Sequence, residues 1–153
     1  MSLCFCVMCD CWKTGKTKKT ELSKYIVSEF FYLNLVLPPQ ISENKVLASR
    51  YNAKFCKWLS SACEHEDMCK AWGKFKSLPF ILNVFGGKEE FPCLYYNFYE
   101  NHTDIIPIEM NMQFEEEIIR LFIKSGSVYI DEYNDFLELL KVSNETNNPI
   151  CFC

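Results

Sequence analysis

Phe114-Glu-Glu-Glu-Ile-Ile-Arg-Leu-Phe-Ile-Lys-Ser-Gly-Ser-Val-Tyr-Ile-Asp-Glu-Tyr-Asn-Asp-Phe-Leu-Glu-Leu-Leu140 decides how the chain is read. Phe114, Ile118, Ile119, Leu121 and Phe122 recur near the 3.6-residue period of a helix, and the three glutamates suit its positive N-terminal end. Lys124-Ser-Gly-Ser-Val-Tyr129 interrupts the pattern, and Tyr133, Phe136, Leu139 and Leu140 resume it. The stretch therefore predicts helix, short glycine-containing loop, helix.

Working outward, the same alternation predicts a long helix from Thr20 carrying Leu22, Tyr25, Ile26, Phe30, Leu33 and Leu35, stopped by Pro38-Pro39. Ser42-Glu-Asn-Lys offers an N-cap before Val46 and Leu47. After a turn near Tyr51-Asn52 come Phe55, Trp58, Leu59, Ala62 and Cys63 on another apolar face. Glu64-His-Glu-Asp67 reads as a polar connector into Met68, Ala71, Trp72 and Phe75, again at helical spacing. Between Lys76 and about Met112 no period is sustained. There Phe80–Phe85 and Cys93–Tyr99 fit short strands or helix.

The 153 residues, 49% hydrophobic and 24% charged, fall among ordinary folded domains, and this length buries roughly 70% of the unfolded surface without needing disulfides. A net charge of -4 argues against nucleic acid as a partner, although the average hides a basic stretch at Lys13, Lys16, Lys18 and Lys19. No run approaches the ~18 apolar residues of a membrane span. MSLCFCVM lacks the charged start and cleavage site of a secretory signal, which predicts a cytoplasmic protein with reduced thiols.

Ten cysteines then need another role. Cys4, Cys6, Cys9 and Cys11 form C-x-C-x-x-C-x-C, a soft donor set for zinc or copper(I). Structural zinc sites usually draw on two separated knuckles, however, and no second C-x-x-C or spaced histidine pair follows; His65 and His102 lie far apart. Followed by four lysines, the same cysteines are candidates for S-acylation and membrane association. A third reading makes them small core residues of an apolar first helix. The closing Pro149-Ile-Cys-Phe-Cys153 reads as a loose tail.

Asp10-Cys-Trp-Lys-Thr-Gly-Lys-Thr-Lys-Lys-Thr-Glu21 places Asp at position 1, Gly at 6 and Glu at 12, and so resembles the calcium loop of an EF-hand. The stretch from Phe114 to Leu140 resembles a whole EF-hand, and Leu35-Val-Leu-Pro-Pro-Gln-Ile-Ser42 is similar to the linker between paired hands. In order and spacing the chain resembles the calmodulin superfamily, and within it divergent myosin light chains of apicomplexan type. The resemblance implies a mainly α fold of degenerate EF-hand units paired into two lobes, residues 1–64 and 65–141, with an aromatic-rich insertion in the third hand and a tail over 142–153. It implies a non-enzymatic, calcium-independent protein without a cofactor that clamps an amphipathic helix such as the IQ-type neck of a myosin heavy chain. Met68, Trp72, Phe75, Phe114, Ile118, Phe122, Phe136 and Leu140 would line the groove or core. Asp10, Thr14 and Glu21 would remain as a vestigial metal loop, because Trp12 occupies a ligand position and lysines crowd the site. Ile123 and Asn134 fail as ligands in the last loop.

The alternative is an all-helical virus- or parasite-specific adaptor, with or without a lipid anchor. A cysteine hydrolase built on Cys63-Glu-His65 fails on a helix, where residues two apart face different directions. A thioredoxin-like fold, suggested by Leu78-Pro-Phe-Ile81, lacks a C-x-x-C on a strand-to-helix turn.

Overall fold

The computed structural model describes residues 3–29, 32–101 and 103–152. In chain order it contains strand β1 (Leu3–Met8), a hairpin of β2 (Ile26–Glu29) and β3 (Tyr32–Leu35), a short α1 (Pro39–Ser42) and α2 (Lys45–Leu59). Strand β4 (Cys69–Phe75) leads to three short helices, α3 (Leu78–Val84), α4 (Gly87–Glu90) and α5 (Pro92–Tyr95), the last continued by a π-helical turn over Tyr96–Glu100. After β5 (Ile105–Ile106) come α6 (Asn111–Ser125), α7 (Ile130–Thr146) and β6 (Ile150–Phe152). The fold is a mixture of helix and sheet, which corrects the mainly α, paired EF-hand architecture implied by the light-chain resemblance.

The chain divides into two compact units, Met8–Lys70 and the combination of Met1–Val7 with Ala71–Cys153. In the larger unit the sheet runs β4-β1-β6-β5. β6 pairs antiparallel with β1, Phe5 opposite Phe152 and Val7 opposite Ile150, and antiparallel with β5, Ile106 opposite Ile150. Residues 5–7 of β1 are buried on both faces, which explains why the sequence is uniformly apolar there rather than alternating. The first apolar stretch is thus a central strand and not a helix. Residues 142–146 finish α7 and 150–152 add β6, where a loose tail was expected; Cys153 lies outside the described residues.

β4 shows the opposite pattern. Ala71, Gly73 and Phe75 are buried while Lys70, Trp72 and Lys74 are exposed, the period of two of a half-buried strand. Met68, Ala71, Trp72 and Phe75 fall at helical spacing by coincidence. Gly73 is required by packing, since a Cβ there would lie 2.9 Å from the Phe75 ring and 3.2 Å from Leu139.

The core of this unit has nineteen buried members centred on Phe5, Phe75, Phe114 and Phe136. Phe75 meets Phe136 edge-on at 5.1 Å, and Phe114 stacks on Phe136 at 5.7 Å. Two carboxylates serve the short helices. Glu117, buried, accepts from the backbone N–H groups of Cys93 (3.1 Å) and Leu94 (2.8 Å) at the start of α5. Glu132 accepts from those of Lys76, Ser77 and Leu78 at the start of α3. Each satisfies N–H groups that a helix leaves unpaired in its first turn. α6 and α7 follow the predicted pattern, with Gly126 (φ +77°) at the break. The connection spans only residues 126–129, so the twelve-residue loop of an EF-hand over 123–134 does not form.

In Met8–Lys70 the segment read as one long helix is instead the β2–β3 hairpin, Ile26 opposite Leu35 and Glu29 opposite Tyr32; Phe30 lies outside the described residues. β-branched and aromatic residues crowd this stretch, and they favour a pleated surface. Conversely, no turn interrupts Tyr51-Asn52. α2 runs unbroken from its cap, where the Asn44 side chain accepts from the Leu47 N–H at 3.1 Å. Leu22, Ile26 and Phe55 form the buried apolar cluster, with Trp12 and Trp58 packed against it. Among the described residues no helix is long and apolar enough to cross a membrane.

Candidate metal centre

Two short segments of Met8–Lys70 converge. Cys9-Asp10-Cys11 follows the end of β1, and Cys63-Glu64-His65 follows the turn after α2. The Cys9 N–H donates to the Met68 carbonyl at 2.8 Å, and the Met68 N–H donates to that of His65 at 3.0 Å. Asp67 and Met68 take left-handed φ angles of 49° and 60°, so the chain reverses directly after His65. The Lys16 N–H closes the turn after Cys11 by donating to its carbonyl at 2.8 Å.

The four ligand-bearing atoms all lie within 4.8 Å of one another. Cys9 Sγ is 3.7 Å from Cys63 Sγ, and His65 Nδ1 is 3.4 Å from Cys11 Sγ and 3.7 Å from Cys63 Sγ. A tetrahedral zinc ion with Zn–S of about 2.3 Å and Zn–N of about 2.0–2.1 Å has S···S edges of about 3.8 Å and S···N edges of about 3.6 Å. Three of the six edges, at 3.7, 3.4 and 3.7 Å, lie within about 0.2 Å of those values, and the others are no longer than 4.8 Å. The set could therefore hold one zinc ion with three sulfurs and a nitrogen.

The surroundings fit the same chemistry. Burial above all, with the Cys11 and Cys63 thiols adding to it, pushes the Cys9 thiol up to about 12, and burial raises Cys11 as well. Without a cation the Cys9 and Cys11 sulfurs keep their protons; a divalent ion offsets the repulsion of adjacent thiolates and displaces those protons. The His65 N–H points at Cys63 Sγ (3.4 Å). On the far side of the ring, Nε2 stands 3.7 Å from the exposed Glu64 carboxylate, beyond hydrogen-bond distance.

Of the four N-terminal cysteines the fold brings only Cys9 and Cys11 into this cluster. Cys4 and Cys6 belong to β1, Cys6 opposite Cys151 in β6. Cys6, Cys9 and Cys11 are buried at 3%, 7% and 7% exposure, whereas Cys4, the other candidate for acylation, is half-buried. The oxygens of the EF-like loop turn elsewhere. Asp10 stands 3.7 Å from the Lys13 ammonium, the Thr14 hydroxyl donates to the Asp10 carbonyl at 2.9 Å, and Glu21 pairs with Lys54 on α2 at 2.8 Å. Gly15, φ +69°, does make the sharp turn its position implies.

The residues expected to line a target groove are dispersed. Phe75, Phe114, Ile118, Phe136 and Leu140 are core of the larger unit, Met68 is buried in Met8–Lys70, and Trp72 stands 59% exposed on β4. Phe122 stacks on Tyr133 at 4.1 Å beside a crevice of about 20 Å³, room for a water and no more.

Cys63 and His65 are the half of the cluster that sequence spacing does not reveal. The signal is present as C-x-C followed much later by C-x-H, but the apolar row through Cys63 extends the helix past its true end at Leu59. Residues two apart that would diverge on a helix converge in the turn that is actually there. Compared with protein-family models, curated proteins and solved structures, the chain finds no match.

Proposed function

We propose that Met8–Lys70 is a zinc-held binding module and that the protein acts by recognition rather than catalysis. The observation that supports this is the convergence of Cys9, Cys11, Cys63 and His65, whose donor atoms all lie within 4.8 Å of one another, three of the six separations being 3.4–3.7 Å. Soft sulfur with one imidazole favours zinc over the hard cations that a carboxylate loop would take. Four protein donors complete the shell, leaving no open position for a substrate or an activated water, which is the arrangement of structural and not catalytic zinc.

Energetics point the same way. A segment of this length is marginal on its own, and its buried apolar cluster has only three members among the described residues. Tying Cys9 and Cys11 to Cys63 and His65 closes the loop that contains the hairpin and α2, and the metal-binding free energy then becomes folding free energy.

The test is the metal content of the full chain purified without chelators, followed by cobalt substitution. One zinc per chain and an intense thiolate-to-cobalt absorption are expected. A metal-free protein whose melting is unchanged by added zinc would overturn the reading.

A further inference from the structure

Beyond the metal cluster, the loop from Trp12 to Ser23 frames a surface depression of about 310 Å³, lined by Trp12, Thr17, Lys18, Lys19, Thr20 and Ser23. Its size is at the lower end of small-ligand sites. Lys18 and Lys19 are exposed, and among the described residues neither has an ion-pair partner. The neighbouring carboxylate, Glu21, is engaged by Lys54.

The loop is fixed rather than a free lysine run. The Lys18 N–H donates to the Ala62 carbonyl at 2.7 Å, Trp58 Nε1 donates to the Lys18 carbonyl at 3.0 Å, and the Thr20 hydroxyl accepts from the Leu22 N–H at 3.2 Å. Trp12 is held edge-on against Trp58 with ring centroids 5.7 Å apart. A preformed frame lowers the entropy lost when a ligand binds. Charge is also partitioned along the chain: residues 8–70 carry ten Lys and Arg against seven Asp and Glu, and the other residues six against thirteen. The overall acidity thus conceals a basic segment that can attract an anion.

We propose that this depression binds a nucleoside phosphate. The Lys18 and Lys19 ammonium groups take the phosphate, the hydroxyls of Thr17 and Ser23 take phosphate or sugar oxygens, and the Trp12 ring takes the base. Two cations alone would suit any anion; the aromatic wall and the hydroxyls beside them select a ligand with a flat apolar part joined to a charged one. Such a ligand can be a free nucleotide or one unit of a single strand. The proposal stands on the loop itself and does not depend on which metal the cysteines hold.

The experiment uses the full chain, adenosine monophosphate by calorimetry, a labelled single strand of about 12 nucleotides by anisotropy, and inorganic phosphate as a comparison. Lys18→Ala with Lys19→Ala should weaken binding about tenfold or more and, for a strand, remove a salt slope of about -1.4 expected for two phosphate contacts. Lys45→Ala with Lys57→Ala removes the same charge from exposed positions that do not line the depression and should leave affinity within about twofold. Binding of either the nucleotide or the strand with this variant pattern supports the site and identifies its source. Binding of neither, equal losses in both double variants, or inorganic phosphate binding as tightly as the nucleotide overturns it.

Discussion

Replacing Cys63 by serine removes one sulfur from the cluster while keeping the size of the side chain. Cys63 Sγ stands 3.7 Å from both Cys9 Sγ and His65 Nδ1, two of the three edges that meet at its corner of the tetrahedron. Structural zinc in small modules carries an apparent binding free energy of about 10–16 kcal/mol, and one of four donors accounts for roughly 3–4 kcal/mol of it. At 1.4 kcal/mol per decade this is a loss of about 10²–10³ in zinc affinity. Cys6→Ser is the control, because Cys6 is more deeply buried than half-buried Cys63 but lies in β1 opposite Cys151, outside the cluster. Competition with a chromophoric chelator measures both. The reasoning is refuted if Cys63→Ser holds zinc as tightly as the parent chain, or if Cys6→Ser weakens it as much, which would return the site to the four N-terminal cysteines.

Gly73→Ala should destabilise the larger unit by about 1–3 kcal/mol in thermal or urea unfolding, because its Cβ would meet the Phe75 ring at 2.9 Å and that ring is fully buried. Glu117→Ala should cost about 1–3 kcal/mol by leaving the N–H groups of Cys93 and Leu94 unpaired in the interior; an unchanged urea midpoint would show that water replaces the carboxylate. The Cys93 thiol is pushed up to about 12, by burial first and the Glu117 carboxylate second. At pH 8 only about one in ten thousand is thiolate, so alkylation followed by mass spectrometry should label exposed Cys56 long before Cys93. Since the shift is upward from 9.0, the neutral thiol is favoured in the folded state. Its contribution is intact below about pH 9 and is lost as pH rises from there towards 12.

α6 and α7 were legible because their period is sustained and the break between them is marked, whereas α2 was read with a turn at Tyr51-Asn52 that does not form. Phe114, Ile118 and Leu121 are buried on one side of α6, and Gly126 stops it. Strands were hidden by accidents of spacing. Residues 69–75 alternate strictly, yet Met68, Ala71, Trp72 and Phe75 also satisfy a helical template, and seven residues are too few for period alone to decide. Leu22, Tyr25 and Ile26 did the same for the hairpin, where Ile26-Val27 and the aromatic run carried the contrary signal. Glycine-containing loops between apolar segments then suggested EF-hands, a motif whose constraint lies in its oxygen ligands, and here Asp10 and Glu21 are committed to Lys13 and Lys54. The site was half legible. Cys9 and Cys11 stood out by local spacing, whereas their partnership with Cys63 and His65 exists only because the chain returns beside Cys9 at Met68.

The two units meet the problem of folding in different ways. The larger one gathers nineteen buried core residues among those described and closes its short helices with the carboxylates of Glu117 and Glu132. Met8–Lys70 spends its residues on an exposed basic loop, a two-stranded hairpin and a single long helix, elements that bury little against one another. An isolated hairpin is marginal in water, and a helix such as α2 gains most of its stability from packing. A metal held at the base of the loop, as proposed, would relieve that shortage without enlarging the core and would leave the loop between Cys11 and Leu22 to present lysines and hydroxyls instead of apolar side chains. The same geometry makes the loop's shape depend on the cluster. Cys11 begins the turn that Lys16 closes, and Ala62, which receives the Lys18 N–H, directly precedes Cys63. If both proposals hold, metal binding at the cysteines and ligand binding at the depression are expected to reinforce each other, because the two sites share this backbone.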